Sequence, residues 1–194
     1  MSTAASGLGI ELVTTEGIFA LDGGEWEVTN NIWIVGDDRE VVVFDAAHSA
    51  APIVDAVNGR RVKAIVLTHG HNDHISAAVP LRDAVDAPIL LHASDRMLWD
   101  VVWPDEQPDA AVDPGAIIRI AGHELGVLHT PGHSPGSLSL YLPQPEKKLL
   151  AGDTLFAGSI GRTDLWGGSY ETILRSIHQQ LLPLGDDEIG RAHV

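Results

Sequence analysis

The segment VLTHGHNDH, residues 66–74, places His69, His71, Asp73 and His74 within six positions, directly after an apolar run. Imidazole nitrogen and carboxylate oxygen are the donors that suit zinc, iron or manganese, with bonds of about 2.0–2.2 Å to zinc. His69 and His71 stand two apart just past the end of a buried strand, where an extended turn can aim both rings at one point. Asp73 and His74 open the following helix, so their side chains can face back toward the same cavity. The plainer alternative is a polar turn with solvated histidines.

The elements that must position these residues follow from turn signals and periodicity. IELVTTEGIFAL, NIWIVGDD and EVVVFDA read as strands, with GDDR as a hairpin turn. APIVDAVNG has helical spacing and stops at Asn58-Gly59. VKAIVLTH is a continuous apolar strand of the kind buried on both faces. One helix is predicted from about Asp73 through HISAAVPLRDAVD, followed by a strand at APILLH and a short helix at ASDRMLWDVV. The Pro- and Asp-rich WPDEQPDAAVDPG reads as a surface loop. AIIRIAG, ELGVLHT, SLSLYL and KKLLAGD return to strands, and a last helix is predicted from about Ser169 to Leu182. No repeat or domain linker interrupts the chain. Strands with interspersed helices in both halves predict an α/β protein of two face-to-face sheets with helices outside.

The pattern H-x-H-x-D-H, followed by TPGHSPGS at 130–137 and AGDTLF at 151–156, resembles the metallo-β-lactamase-fold superfamily. GDTLFAGSIGRTDLWGGSYETILRSI further resembles its glyoxalase II-like hydrolases, and the resemblance spans roughly residues 10–187. It implies a four-layer αββα sandwich in which His69, His71 and His133 hold a first divalent metal ion. Asp73 and His74 belong to a second, Asp153 bridges the two, and Asp45 supports the ligands from behind, as ligating histidines require. The ions implied are two, most simply zinc, with iron or manganese as alternatives. Independently of the family, Pro131, Gly132, Pro135 and Gly136 frame His133 in a rigid turn that could hold one imidazole fixed. A Gly-Asp at a strand end is ordinarily a turn, and Asp153 takes its weight from the accompanying histidines.

Composition narrows the choice of chemistry. The 194 residues are 44% hydrophobic, long enough for one domain with a substantial core. A net charge of −15 disfavours nucleic acid and anionic membrane as partners. The chain has no cysteine, which excludes disulfides, thiolate metal sites and a cysteine nucleophile. A serine-nucleophile elbow G-x-S-x-G is also missing. The N-terminus has neither a basic region nor an apolar core of a signal peptide, so a cytoplasmic location is expected.

Two metal ions bridged by a carboxylate can hold a water between them, lower its pKa to about 7 and polarise a carbonyl. The expected activity is therefore hydrolysis by hydroxide, with Asp73 orienting it and shuttling its proton. The resemblance points to a small-molecule substrate, a thioester of a low-molecular-weight thiol. The competing readings are a persulfide dioxygenase with a single iron on His69, His133 and Asp153, and a metal-binding fragment without turnover. Arg162 could reach a substrate carboxylate, or form a surface ion pair. His48, His92, His129 and His178 are expected to be surface or core residues, His48 being the best placed near Asp45. The five tryptophans are expected to fill the core rather than line a cleft.

Family members carry one further metal histidine in a C-terminal PGHG-type turn, and no such turn occurs here. EIGRAHV, residues 188–194, corresponds to GAG ATC GGA AGA GCA CAC GTC, one reading frame of a widely used sequencing adapter. The expectation is a domain over 1–187 that lacks the family's last strand and helix, a non-native tail at 188–194, and a weak second metal site.

Overall fold

The structure is a computed structural model that describes residues 7–21, 24–144 and 147–184. The boundary expected at 187 and the tail behind it lie outside the described residues. β1 (Gly9–Leu21) and β2 (Gly24–Gly36) form a long antiparallel hairpin, and β3 (Glu40–Phe44) pairs antiparallel with β2. The turn between β2 and β3 is held by Asp37, whose Oδ1 accepts from the N–H groups of Arg39 and Glu40, both at 2.9 Å. β4 (Arg61–Val66), β5 (Ile89–Leu91) and β6 (Ala110–Ala111) then add in parallel. The connections carry helices α1 (Ala50–Val57), α2 (Asn72–Ile75), α3 (Ala78–Val85) and α4 (Arg96–Val102). A second, antiparallel sheet has the order β10 (Lys148–Leu150), β9 (Leu138–Leu142), β8 (His123–His129), β7 (Ile117–Ile120). A small hairpin of β11 (Leu155–Phe156) and β12 (Ser159–Ile160) precedes α5 (Tyr170–Ser176).

Side-chain alternation along the strands sorts the apolar residues into layers. Ile32 and Ile34 of β2, Val41 and Val43 of β3, and Ile65 of β4 face one cluster with Ile53, Leu81 and Trp99 from the helices. Their neighbours Val35, Val42, Phe44, Ala64 and Val66 face the other way, onto Leu125, Val127, Leu138 and Leu140 of the second sheet. On its far side that sheet packs Leu149 and Ala151 against Ile173, Ile177 and Leu181. The result is helix, sheet, sheet, helix, the αββα layering the sequence implies. Among the described residues no helix is long and apolar enough to cross a membrane.

The structure departs from expectation in three places. The single helix predicted from Asp73 to Asp86 is two, because the strand-end loop competes for its hydrogen bonds. The Ala46 N–H donates to the carbonyl of His74, and Ala77 N–H donates to Ala46, both at 2.9 Å, so the ladder breaks between α2 and α3. The predicted loop at 103–115 contains β6, only two residues long. The last helix begins as predicted, with Ser169 accepting from Thr172 N–H at 3.3 Å, but it widens into a π turn at Ile177–Leu181.

One glycine fixes how α5 meets the histidine turn. Gly132 has φ 135°, and a Cβ there would run into the backbone nitrogen of Ile173. Gly115, by contrast, has φ 79° with open space around it. Gly132→Ala is therefore expected to cost roughly 1–3 kcal/mol more than Gly115→Ala, the range for forced overpacking. Urea unfolding of the two variants measures this, and equal losses would contradict the packing described.

Candidate metal centre

Asp45, at the end of β3, adopts φ 64°, a left-handed conformation that aspartate tolerates better than most residues. In that pose its buried carboxylate collects three hydrogen bonds. Thr68 N–H donates to Oδ1 at 2.7 Å, Thr68 Oγ1 donates to Oδ2 at 2.9 Å, and His74 Nδ1 donates to Oδ2 at 2.9 Å. With its own hydrogen committed to Asp45, Thr68 Oγ1 accepts from His69 Nδ1 at 3.2 Å. His133 Nδ1 donates to the carbonyl of Arg162 at 2.8 Å. Each of these bonds places a ring proton on Nδ1, so that Nε2 of His69, His74 and His133 is the nitrogen that faces inward.

Inside, the donors converge. His71 Nδ1 lies 2.9 Å from His133 Nε2, which lies 3.2 Å from His69 Nε2 and 3.5 Å from Asp153 Oδ2. Asp153 Oδ1 is 3.3 Å from His74 Nε2, and Asp73 Oδ2 is 3.7 Å from it. Four donors arranged tetrahedrally about a zinc-sized ion at ~2.0 Å stand roughly 3.3 Å from one another. Lone pairs that face each other at this spacing repel unless a cation lies between them, so the residues present fit metal ions. His69, His71 and His133 form one group that could hold an ion, and His69, His74 and Asp153 another. Asp153 touches both halves.

Burial and neighbouring charge set the protonation. Burial, followed by the imidazoles of His74, His133 and His71, holds His69 well below the usual histidine range. Burial and then His133 push His71 down to about 3. Burial opposes a charge on His74 as well, but the carboxylates of Asp153, Asp73 and Asp45 outweigh it and raise its pKa well above the ordinary value. His69 and His71 thus keep free lone pairs at neutral pH. The His74 proton is one that an arriving cation must displace.

The structure brings together all six residues expected to hold metal, with Asp45 behind them. Arg162 reaches the site through its carbonyl, and its guanidinium pairs with Asp164 at 2.9 and 2.8 Å. His92 and His129 stack on each other at 4.5 Å, and His178 is exposed on the π turn. The tryptophans divide. Trp99 is fully buried and Trp103 packs against the same core, whereas Trp166 is 63% exposed. With Phe19, Leu98, Val102 and Leu165, Trp166 lines an apolar cleft of about 200 Å³ that borders His71.

Two functional residues escaped sequence reasoning. Asp95, fully buried just ahead of α4, accepts from Gly70 N–H at 2.9 Å, Ser134 Oγ at 2.7 Å and Gly136 N–H at 2.5 Å. It thereby ties the 69–74 turn to the 130–137 turn, while burial raises its carboxyl pKa. An aspartate at a helix start reads as an ordinary cap, and only the glycines at 70 and 136 hint at a close neighbour. Asn30 of β2 is buried and brings its amide nitrogen within 3.2 Å of Asp73 Oδ2. His48, which lies outside the metal-ligand pattern, holds the other end of that amide, its Nε2 lying 2.9 Å from Asn30 Oδ1.

Removing an imidazole deprives an ion of a direct bond, when even indirect losses cost about 10- to 100-fold in affinity. His71→Ala and His133→Ala should each weaken the first metal equivalent by at least that factor, and His178→Ala should leave it unchanged, by titration against a chromophoric chelator. Unchanged binding in His133→Ala would mean that the ion sits elsewhere. Asp95→Ala strands three buried donors and should cost roughly 3 kcal/mol in chemical denaturation, a loss under 1 kcal/mol counting against its role.

The sequence profile of the metallo-β-lactamase superfamily matches residues 26–193. The probable metallo-hydrolase YqgX of Bacillus subtilis is 36% identical over 169 residues, 80% of this chain and 79% of the relative. The hydroxyacylglutathione hydrolase GloC of Haemophilus influenzae is 32% identical over 173 residues, 81% of this chain and 80% of the relative. The crystal structure of BLEG-1 B3 metallo-β-lactamase superposes with a TM-score of 0.76 at 30% identity, covering 94% of this chain and 92% of that one.

Proposed function

The chain belongs to the metallo-β-lactamase superfamily, and we propose that within it the protein is a metal-dependent hydrolase of thioesters of a low-molecular-weight thiol. The observation that carries this reading is the convergence of six donors in two groups, with the Asp153 carboxylate lying near a histidine of each. Asp153 lies within 3.3 Å of His74 Nε2 through one oxygen and 3.5 Å of His133 Nε2 through the other. His69, His71 and His133 would hold one divalent ion, and Asp73, His74 and Asp153 a second, with zinc the simplest choice for this donor set. When bound, such ions polarise a carbonyl and make a water acidic enough to attack it near neutral pH.

The protein's own groups supply the rest. Asp73 and Asp153 have side chains 15% and 17% exposed, so they form the mouth of a site whose histidines are buried. Asp73 lies at the edge of the cavity, in the absence of an ion accepting from the Asn30 amide at 3.2 Å, and there it can accept the proton of the attacking water. Delivered to the departing sulfur, that proton completes the balance of a thioester and water to a carboxylic acid and a thiol. The apolar cleft beside His71 offers Phe19, Leu98 and Trp166 to an uncharged part of the substrate. The relative named hydroxyacylglutathione hydrolase supports the thioester class.

A second reading rests on a subset of the same atoms. His69, His133 and Asp153 make a two-histidine, one-carboxylate set, with His133 Nε2 3.2 Å from His69 and 3.5 Å from Asp153, which suits a single iron and oxygen chemistry on a persulfide. The expected result is metal-dependent release of free thiol from S-lactoyl-glutathione or a thioester of another carrier thiol, abolished by chelation and restored by zinc. Oxygen uptake with a glutathione persulfide, one tightly held iron and no thiol release from any thioester would replace the hydrolase with the dioxygenase.

A further inference from the structure

Buried Asn30 and partly buried His48 form a polar unit against the Asp73 and His74 side of the centre, and neither belongs to the histidine and aspartate pattern. Asn30 is 2% exposed. Its amide nitrogen position is 3.2 Å from Asp73 Oδ2 and 3.3 Å from His74 Nε2, while its oxygen position is 2.9 Å from His48 Nε2. The unit is braced from outside. His48 has φ 58°, its N–H donates to Ser76 Oγ at 2.8 Å, and its ring lies so close over Gly17 of β1 that any Cβ there would collide with it. Sequence distance hides the arrangement, since Asn30 lies 43 residues before Asp73.

We propose that Asn30 is a metal-binding residue, its amide oxygen completing the donor set of the ion held by Asp73, His74 and Asp153, with His48 as the residue that positions it. This rests on the reading of the cluster as two ion positions. The spacings are the first reason. The end of the Asn30 amide stands 3.2 and 3.3 Å from Asp73 and His74, the separation of roughly 3.3 Å that neighbouring donors keep around a small divalent ion. The second reason is the symmetry of an amide, whose oxygen and nitrogen ends have nearly the same shape and can exchange places. Without a cation the NH₂ faces Asp73 and donates to it. With a cation between them the oxygen takes that place, and the NH₂ donates to His48.

His48 suits both arrangements, because a neutral imidazole nitrogen donates in one tautomer and accepts in the other. Reversal of the amide therefore leaves no buried group unpaired. An uncharged donor at this position also leaves the net charge of the ion's surroundings to Asp73 and Asp153.

The test is titration of the metal-free full chain with zinc and, in parallel, cobalt(II), following both equivalents by chelator competition and by the visible absorption of cobalt. Asn30→Ala is expected to weaken the second equivalent roughly 10- to 100-fold and leave the first unchanged. Asn30→Asp, which keeps an oxygen but cannot donate a hydrogen bond, is expected to retain the second equivalent with an altered cobalt spectrum. His48→Ala, which leaves every ligand in place, should weaken it by about 10-fold. A second equivalent held as tightly in Asn30→Ala as in the parent overturns the inference. So does its loss in Asn30→Asp to the same extent as in Asn30→Ala, because the amide would then act only as a hydrogen-bond donor to Asp73. A parent that binds one equivalent alone overturns the two-ion reading itself, a result visible in the same titration and independent of Asn30.

Discussion

The site depends on where the imidazole protons are kept. Four histidines whose ring nitrogens converge within 3 to 4 Å can share a cation only if each inward nitrogen is able to shed its proton, and that is favoured by giving the opposite nitrogen an acceptor. Asp45 does this for His74 directly and for His69 through Thr68, and the Arg162 carbonyl does it for His133. The cost is visible in the backbone: Asp45 stands in a left-handed conformation to put both carboxylate oxygens within reach. A carboxylate that serves two ligands at once couples them, so disturbance of one ring is felt by the next.

The layers of the fold deliver these groups from opposite directions. The first sheet ends its central strands at Asp45 and at the 69–74 turn, while the second sheet supplies His133 before β9 and Asp153 after β10. Between them Asp95 takes one donor from the 69–74 turn and two from the 130–137 turn, which makes the relative position of the two sheets a hydrogen-bonded distance rather than a matter of apolar contact alone. Glycines are required where these parts touch. A Cβ at Gly136 would come within 2.7 Å of the Asp95 carboxyl carbon, and one at Gly161 would strike the carbonyl of Asp153.

The sequence revealed the converging histidines and aspartates because most of them are clustered, and the strands because they alternate. His69 to His74 occupy six positions, and Val41 to Phe44 divide cleanly between the two faces of their sheet. What stayed hidden has a common cause, which is partnership across long stretches of chain. Asn30 gains its meaning from Asp73, 43 residues on, and Asp95 from Gly136, 41 residues on. The break between α2 and α3 is decided by the main chain of Ala46, which no helical periodicity around residue 77 could report. β6, β11 and β12 have two residues each, too few to establish an alternation.

The position of the ligands along the chain also bears on how the protein stays folded. Residues 69 and 153 come together although all four strands of the second sheet lie between them, and the chain has no cysteine with which to tie that span. An ion gripped by both ends is a removable cross-link across that span, restricting the unfolded chain much as a disulfide would. Bound metal would then add to the stability of the fold as well as to its chemistry. Without ions the chain would lose that clasp between the sheets, and the free energy of the fold would depend on the concentration of the metal it binds.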